Sequence, residues 1–263
     1  MTDAGRKTYF CIFNSIMGIF SFLKSNRNSE PVDLSALQVD LHSHLLPGID
    51  DGAKTMDHSL GMLRKFQELG YRKVITTPHV MNGVYNNTTA LILSKRDELR
   101  AAALAIGLTI EIEASAEYYF DETLFDRIKT KDLLPFHTNC ILFECSFRNE
   151  PTQLEDVVFD LISSGYQPII AHFERYVYFH GSTKMAHRLR ELGVWIQLNN
   201  NSLTGHYGPE VKKQALQLVK EGLVDIAGTD CHRIEHLHLM EQHLSDDAFH
   251  QLMRLPLKNK ELG

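Results

Sequence analysis

The sequence lacks the fingerprints of the common nucleotide-binding folds. It contains no Gly-x-Gly-x-x-Gly and no Gly-x-x-x-x-Gly-Lys-Ser/Thr, so neither Rossmann nor P-loop chemistry is supported. Cysteine is scarce: Cys11, Cys140, Cys145 and Cys231 are the full set, and none forms a Cys-x-x-Cys pair. That usage excludes a disulfide scaffold and fits reduced, buried thiols in a cytoplasmic protein. A basic excess is missing too. Lys plus Arg number 27 against 33 Asp plus Glu, a net charge of -6 that argues against a nucleic-acid groove.

Long apolar runs are also wanting. Residues 9–23 come nearest, but Asn14, Ser15 and Ser21 interrupt them, and they fall short of the ~20 residues of a spanning helix. Lys24, Ser25, Asn26 and Arg27 follow without the small-residue pattern of a signal cleavage site. Three readings stand: a short interfacial segment, a flexible leader, or upstream sequence not normally translated, with the start then at Met17. We expect a leader over residues 1–36 that touches a membrane surface weakly through residues 9–23. The protein would then be cytoplasmic, at the inner face of the membrane.

The 263 residues suit one large α/β domain or two small ones. Short β-rich runs occur at residues 38–42, 73–77, 109–114, 140–145, 168–172, 194–198 and 224–228. Helical periodicity fills residues 89–106, 152–165, 183–193 and 209–222, and an earlier stretch places Leu60, Leu63, Phe66 and Leu69 on one face. Thr55 is a fitting N-cap for that stretch and Gly70 its stop. Strand–helix alternation implies a parallel sheet with right-handed crossovers. About seven units without a dinucleotide fingerprint favour one barrel over residues 37–263.

Histidine is unusually frequent, with 14 copies. Most proposed strands run into a metal-type side chain at the C-terminal end, where barrels place their chemistry. The first gives Asp40-Leu41-His42-Ser43-His44, and alternation on an extended strand would point both histidines one way. The others lead to His79, Glu117, Glu144, His172-Phe173-Glu174-Arg175 and Asp230-Cys231-His232. Singly, each is weak: one histidine after a strand is ordinarily a satisfied polar residue, and Asp51 in its Gly-rich turn ordinarily serves the turn. Together they decide the matter. Nine such groups converging would be costly unless cations relieved the charge. They are too many for one ion and suit two or three. Imidazole and carboxylate favour Mn, Fe or Zn, and Arg175 offers a guanidinium matched to phosphate oxygens, unless it merely pairs with Glu174.

With those residues laid out, the chain resembles the PHP (polymerase and histidinol phosphatase) superfamily. Within it, the likeness is to bacterial manganese-dependent protein-tyrosine phosphatases of capsular and exopolysaccharide operons. The segments that carry it are VDLHSHLLPGIDDGAKT, VITTPHV, ASAEYYF, ILFECSF, PIIAHFERY, QLNNNSL and IAGTDCH, in order from Val39 to His232. The resemblance implies a distorted (β/α)7 TIM-like barrel and three divalent ions, Mn before Fe, Zn or Co. It implies His42, His44, Glu117 and Asp230 around the first ion, with Glu117 bridging to a second held by Glu144 and His172. Asp51, His79 and His232 would hold the third. Arg175 matches the family's phosphate-binding arginine. One departure is clear: an Arg-Pro-Pro segment expected beyond the last histidine is absent, leaving Arg233 or His236 as substitutes.

The implied reaction is hydrolysis of phosphotyrosine on the tail of a bacterial tyrosine kinase that controls polysaccharide synthesis, by attack of a metal-bound hydroxide. No cysteine stands six residues before an arginine, so the thiolate route of other tyrosine phosphatases is closed. The rivals are a small-molecule phosphatase resembling histidinol phosphatase, a phosphodiesterase, and a module that binds phosphorylated tails without cleaving them. Amidohydrolase barrels also open with His-x-His, but they add a lysine on a middle strand where this chain has Glu144.

Overall fold

The computed structural model describes residues 30–263. The expectations for residues 9–23 and for a start at Met17 lie outside the described residues. Among the described residues, nine parallel strand segments form the sheet: β1 (Val39–Leu41), β2 (Lys73–Thr76), β3 (His79–Val80), β4 (Glu111–Ala114), β5 (Glu117–Tyr119), β6 (Cys140–Glu144), β7 (Gln167–Ile170), β8 (Trp195–Asn199) and β9 (Ile226–Gly228). Their order is β1-β2-β4 and β3-β5-β6-β7-β8-β9.

These segments occupy seven barrel positions, because β2 and β3 form one broken strand, as do β4 and β5. Pro78, which has no N–H to give a ladder, interrupts the first pair. Backbone bonds carry the pairing across the breaks, from Ser115 N to Thr76 O at 2.9 Å and from Glu117 N to Pro78 O at 3.1 Å. The cylinder closes between β1 and β9: Asp230 N donates to His42 O and His44 N to Cys231 O, both at 2.8 Å. The barrel is distorted, since the third position pairs with β6 only through its upper half, β5.

The closure leaves no room for a side chain at Gly228. A methyl group there would overlap the Leu41 carbonyl oxygen and stand 2.7 Å from Gln197 Nε2. Gly228→Ala is therefore expected to destabilise the fold by about 1–3 kcal/mol, read as a lower midpoint in chemical denaturation.

The helices that cover the barrel include α1 (Met56–Glu68), α2 (Thr89–Ala105), α3 (Glu122–Thr130), α4 (Leu154–Ser163), α5 (Lys184–Glu191) and α6 (Pro209–Lys220). Two more, α7 (Ile234–Gln242) and α8 (Asp247–Leu252), follow the last strand. Thr55 caps α1 by accepting from His58 N. Inside the barrel Val39, Leu41, Ile75, Leu142, Ile169 and Ile226 pack together with Leu262. The C-terminal turn plugs this lower end, where Asn259 Nδ2 donates to Val39 O at 3.0 Å and to Ala227 O at 2.7 Å. Near the start, Leu34 is buried and Val32 N donates to Leu244 O, so residues 32–36 already pack on the domain. Polar side chains are thus left for the upper rim.

Candidate metal centre

At that rim the nine ligand-type residues meet. Glu117 lies at the centre, wholly buried, with four imidazoles around it. Its Oε2 is 3.2 Å from His42 Nε2, 3.5 Å from His44 Nε2 and 3.1 Å from His79 Nδ1, while Oε1 is 2.9 Å from His172 Nε2. Asp230 Oδ1 stands 3.4 Å from both His42 Nε2 and His44 Nε2. Glu144 approaches His79 at 3.1 Å and His172 at 3.6 Å. Asp51, half exposed, is 3.6 Å from His79 Nε2 and 3.4 Å from His232 Nε2. The ligand atoms fall into four overlapping groups: His44, Asp51, His79 and His232; His42, His44 and Asp230; His42, Glu117 and His172; and His79, Glu117 and Glu144.

The histidines do not converge through an extended strand. β1 ends at Leu41, His42 has φ +92°, and His172 and Asp230 also take positive φ, at 31° and 49°. Three rim residues thus carry backbone strain of the kind that gathers at functional sites. The Gly48–Gly52 turn folds tightly beneath, and a Cβ on Gly52 would collide with the backbone of His44.

Electrostatics follow from burial without water. Burial opposes a proton on His42, but the Glu117 and Asp230 carboxylates outweigh it and raise the imidazole to about 9. His44 is raised in the same way, chiefly by Asp50. Burial wins at His172, whose imidazole is lowered. Burial also works against charge on Glu117 and Asp230, yet the histidines hold both well below the usual carboxylate range. These carboxylates demand positive charge beside them.

Divalent cations fit that demand. His42 Nε2, His44 Nε2, His79 Nδ1 and Glu117 Oε2 are buried without a hydrogen-bond partner, which is costly for polar atoms otherwise unused. Two ligands each about 2.1 Å from one ion lie roughly 3–3.5 Å apart, and most of the spacings above fall in that range. The donor set of imidazole and carboxylate suits Mn, Fe or Zn.

Further residues set the ligands' orientation, and sequence reasoning had not singled them out. Asp50 Oδ2 lies 2.8 Å from His44 Nδ1, and Asp50 Oδ1 accepts from Gly52 N. Gln197 Oε1 lies 3.0 Å from His42 Nδ1 and accepts from His172 N at 2.7 Å. Such contacts hold the proton on Nδ1 and leave Nε2 free to ligate. Asn199 Nδ2 donates to Asp230 Oδ2 at 2.8 Å. The sequence signal was present in Gln197 and Asn199, polar residues two apart on a buried strand. Asp50→Ala is expected to weaken metal binding about 10–100-fold, measured by titration against a competing chelator.

Arg175 reaches the same cluster. Nη1 donates to Asp230 Oδ2 at 2.9 Å, and the guanidinium lies between the rings of Phe147 and Tyr207, 4.3 and 4.4 Å from their centroids. It does not pair with Glu174, which instead accepts from Asn199 N and Ser202 Oγ. Neither Arg233 nor His236 lines the cavity over the cluster. His236 is buried, with Nδ1 3.4 Å from Asp230 O, and Arg233 is exposed. That cavity, about 490 Å³, is walled by Met81, Tyr85, Tyr119 and Phe147 above a floor of the ligand residues.

Comparison with known proteins gives the family. Residues 38–241 match the family described as capsular polysaccharide synthesis, CpsB/CapC. The chain belongs to that family. It is 32% identical over 198 residues to the tyrosine-protein phosphatase YwqE of Bacillus subtilis, covering 75% of this chain and 78% of that protein. To the tyrosine-protein phosphatase CpsB of Streptococcus pneumoniae it is 24% identical over 203 residues, or 75% and 84% of the two chains. The solved structure describing YwqE and CpsB as metal-dependent tyrosine phosphatases matches at a TM-score of 0.71 and 27% identity, over 83% of this chain and 96% of that one. Histidinol phosphate phosphatase of Lactococcus lactis, at 14% identity and a TM-score of 0.52 over 80% and 93% of the chains, shares the fold alone. The CpsB/CapC assignment is in keeping with the α/β barrel fold.

Proposed function

We propose that this CpsB/CapC family chain is a metal-dependent protein-tyrosine phosphatase of capsular or exopolysaccharide synthesis. Its substrate would be the phosphotyrosine tail of a bacterial tyrosine kinase, met in the cytoplasm. The observation that carries the reading is Glu117 ringed by four imidazoles, with the Arg175 guanidinium bound to the adjoining Asp230. On this reading His42, His44, Glu117 and Asp230 hold one ion, Glu117, Glu144 and His172 a second, and Asp51, His79 and His232 a third. Manganese is the first choice among Mn, Fe, Zn and Co.

Bound divalent ions would supply a Lewis acid and lower the pKa of water for attack on phosphorus. The protein's own groups do the rest. Arg175, held flat between two rings, offers its N–H edge to the phosphoryl oxygens as their charge develops. Tyr85, Tyr119 and Phe147 bound the space above, where an aryl ring finds apolar surface and water is thinned. A phenolate, with a pKa of ~10, leaves more readily than an alkoxide, so little is asked of a general acid.

A cysteine nucleophile is disfavoured by the setting of the described thiols. Burial pushes the thiol of Cys140 up to about 11 and raises those of Cys145 and Cys231 as well. The test is turnover of a phosphotyrosine peptide after exhaustive chelation and dialysis, beside a variant of the cavity-lining cysteine, Cys145→Ser. The expected result is loss on chelation, recovery with Mn, and an active Cys145→Ser. Activity that persists without metal, or histidinol phosphate preferred as substrate, would refute the assignment.

A further inference from the structure

The segment after β6 carries two adjacent residues with different tasks. Phe147 lies over Arg175. Arg148 lines the same cavity but is exposed, and its guanidinium pairs with nothing acidic among the described residues. Arg127, Arg175, Arg188 and Arg190, by contrast, each have a carboxylate within ion-pairing reach.

The backbone that presents Arg148 is firmly held. Ser146 Oγ accepts from Arg148 N at 3.4 Å and from Asn149 N at 3.2 Å. Tyr178 Oη donates to Ser146 O at 2.9 Å, and Val177 N donates to Phe147 O at 3.1 Å. Because the backbone is anchored, binding an anion would order only the arginine side chain.

The position decides which anion. Glu117, Glu144 and Asp230 line this cavity, yet none comes within 4.0 Å of Arg148, whereas Arg175 reaches Asp230 at 2.9 Å. An arginine serving the transferred phosphoryl group would be expected close to these carboxylates. Arg148 therefore stands at the outer rim. Glu150, two residues further on, lines a separate depression with Asp156 and with Glu155, which pairs with Arg188. An acidic side chain is drawn to the flank of the mouth that carries Arg148.

We propose that Arg148 is a specificity-determining residue that binds an acidic side chain beside the phosphotyrosine, on one side of it. The inference rests on the phosphatase reading above, and the experiment separates the two. Wild type, Arg148→Ala and Arg148→Lys would be assayed on p-nitrophenyl phosphate and on three phosphotyrosine peptides, with Glu before the phosphotyrosine, after it, or replaced by Gln. Wild type is expected to favour one Glu peptide over the Gln peptide. Arg148→Ala should erase that preference through a rise in KM of about tenfold, with kcat and p-nitrophenyl phosphate turnover unchanged, and Arg148→Lys should retain part of it. Equal loss on p-nitrophenyl phosphate, or no acidic preference in wild type, would overturn the role given to Arg148 while leaving the phosphatase reading intact. Failure of wild type on every phosphorylated substrate would sink that reading itself.

Discussion

Glu117→Gln is expected to lower phosphotyrosine turnover by about 10³-fold or more, the equivalent of several kcal/mol of lost transition-state stabilisation. Glutamine keeps the size of the side chain but removes the negative charge around which four imidazoles are gathered. It also brings an NH₂ group against at least one of their nitrogens. On the proposed reading Glu117 serves two ions at once, so bound metal should fall together with activity. The variant should remain folded, which far-UV circular dichroism would check. Turnover within tenfold of wild type, with metal retained, would remove Glu117 from the centre of the account.

Arg175→Ala is expected to cost about 10²–10³ in kcat, the loss typical of one preorganised donor to developing charge. Metal content should stay the same, which separates this variant from Glu117→Gln. Part of the cost would come from Asp230 Oδ2, which would keep its Asn199 bond and lose its guanidinium partner. Arg175→Lys should recover only a fraction, because an ammonium neither fills the slot between Phe147 and Tyr207 nor presents two parallel N–H groups. The matching check is kcat in both variants with metal measured on the same samples.

The two variants probe the parts of the site that were legible in the sequence. Seven of the strand segments lie within two residues of the runs read as β-rich, since a parallel strand buried on both faces is largely apolar; β4, Glu-Ile-Glu-Ala with Glu111 exposed, is a departure. β3 and β5 were not legible as separate segments, because each is short and follows a break that only the folded sheet reveals. α3, nine residues long, was missed although Asp121 caps it and Leu124 and Ile128 are buried. The plug at Asn259–Leu262 depends on contacts with Val39 and Ala227, far away in the chain, which no local pattern encodes.

At the rim, the ligand residues stood out because a polar side chain ending an apolar strand is conspicuous. Their supports did not. Asp50 resembled ordinary turn chemistry beside Asp51, and Gln197 and Asn199 belonged to a polar run with no assigned task. The route to convergence was also misread. Alternation on an extended strand predicts that His42 and His44 share a face, whereas a left-handed turn at His42 brings the two rings to 5.5 Å. Backbone strain of that kind is set by the closing of the barrel between β1 and β9, a long-range event.

The most direct test of the account is elemental analysis of Mn-reconstituted, desalted protein beside a His42→Ala, His44→Ala double variant. The account predicts about three ions per chain in the wild type, from nine ligands at three or so per ion, and a clear drop in the variant. Less than one ion in the wild type, or equal content in both, would contradict it.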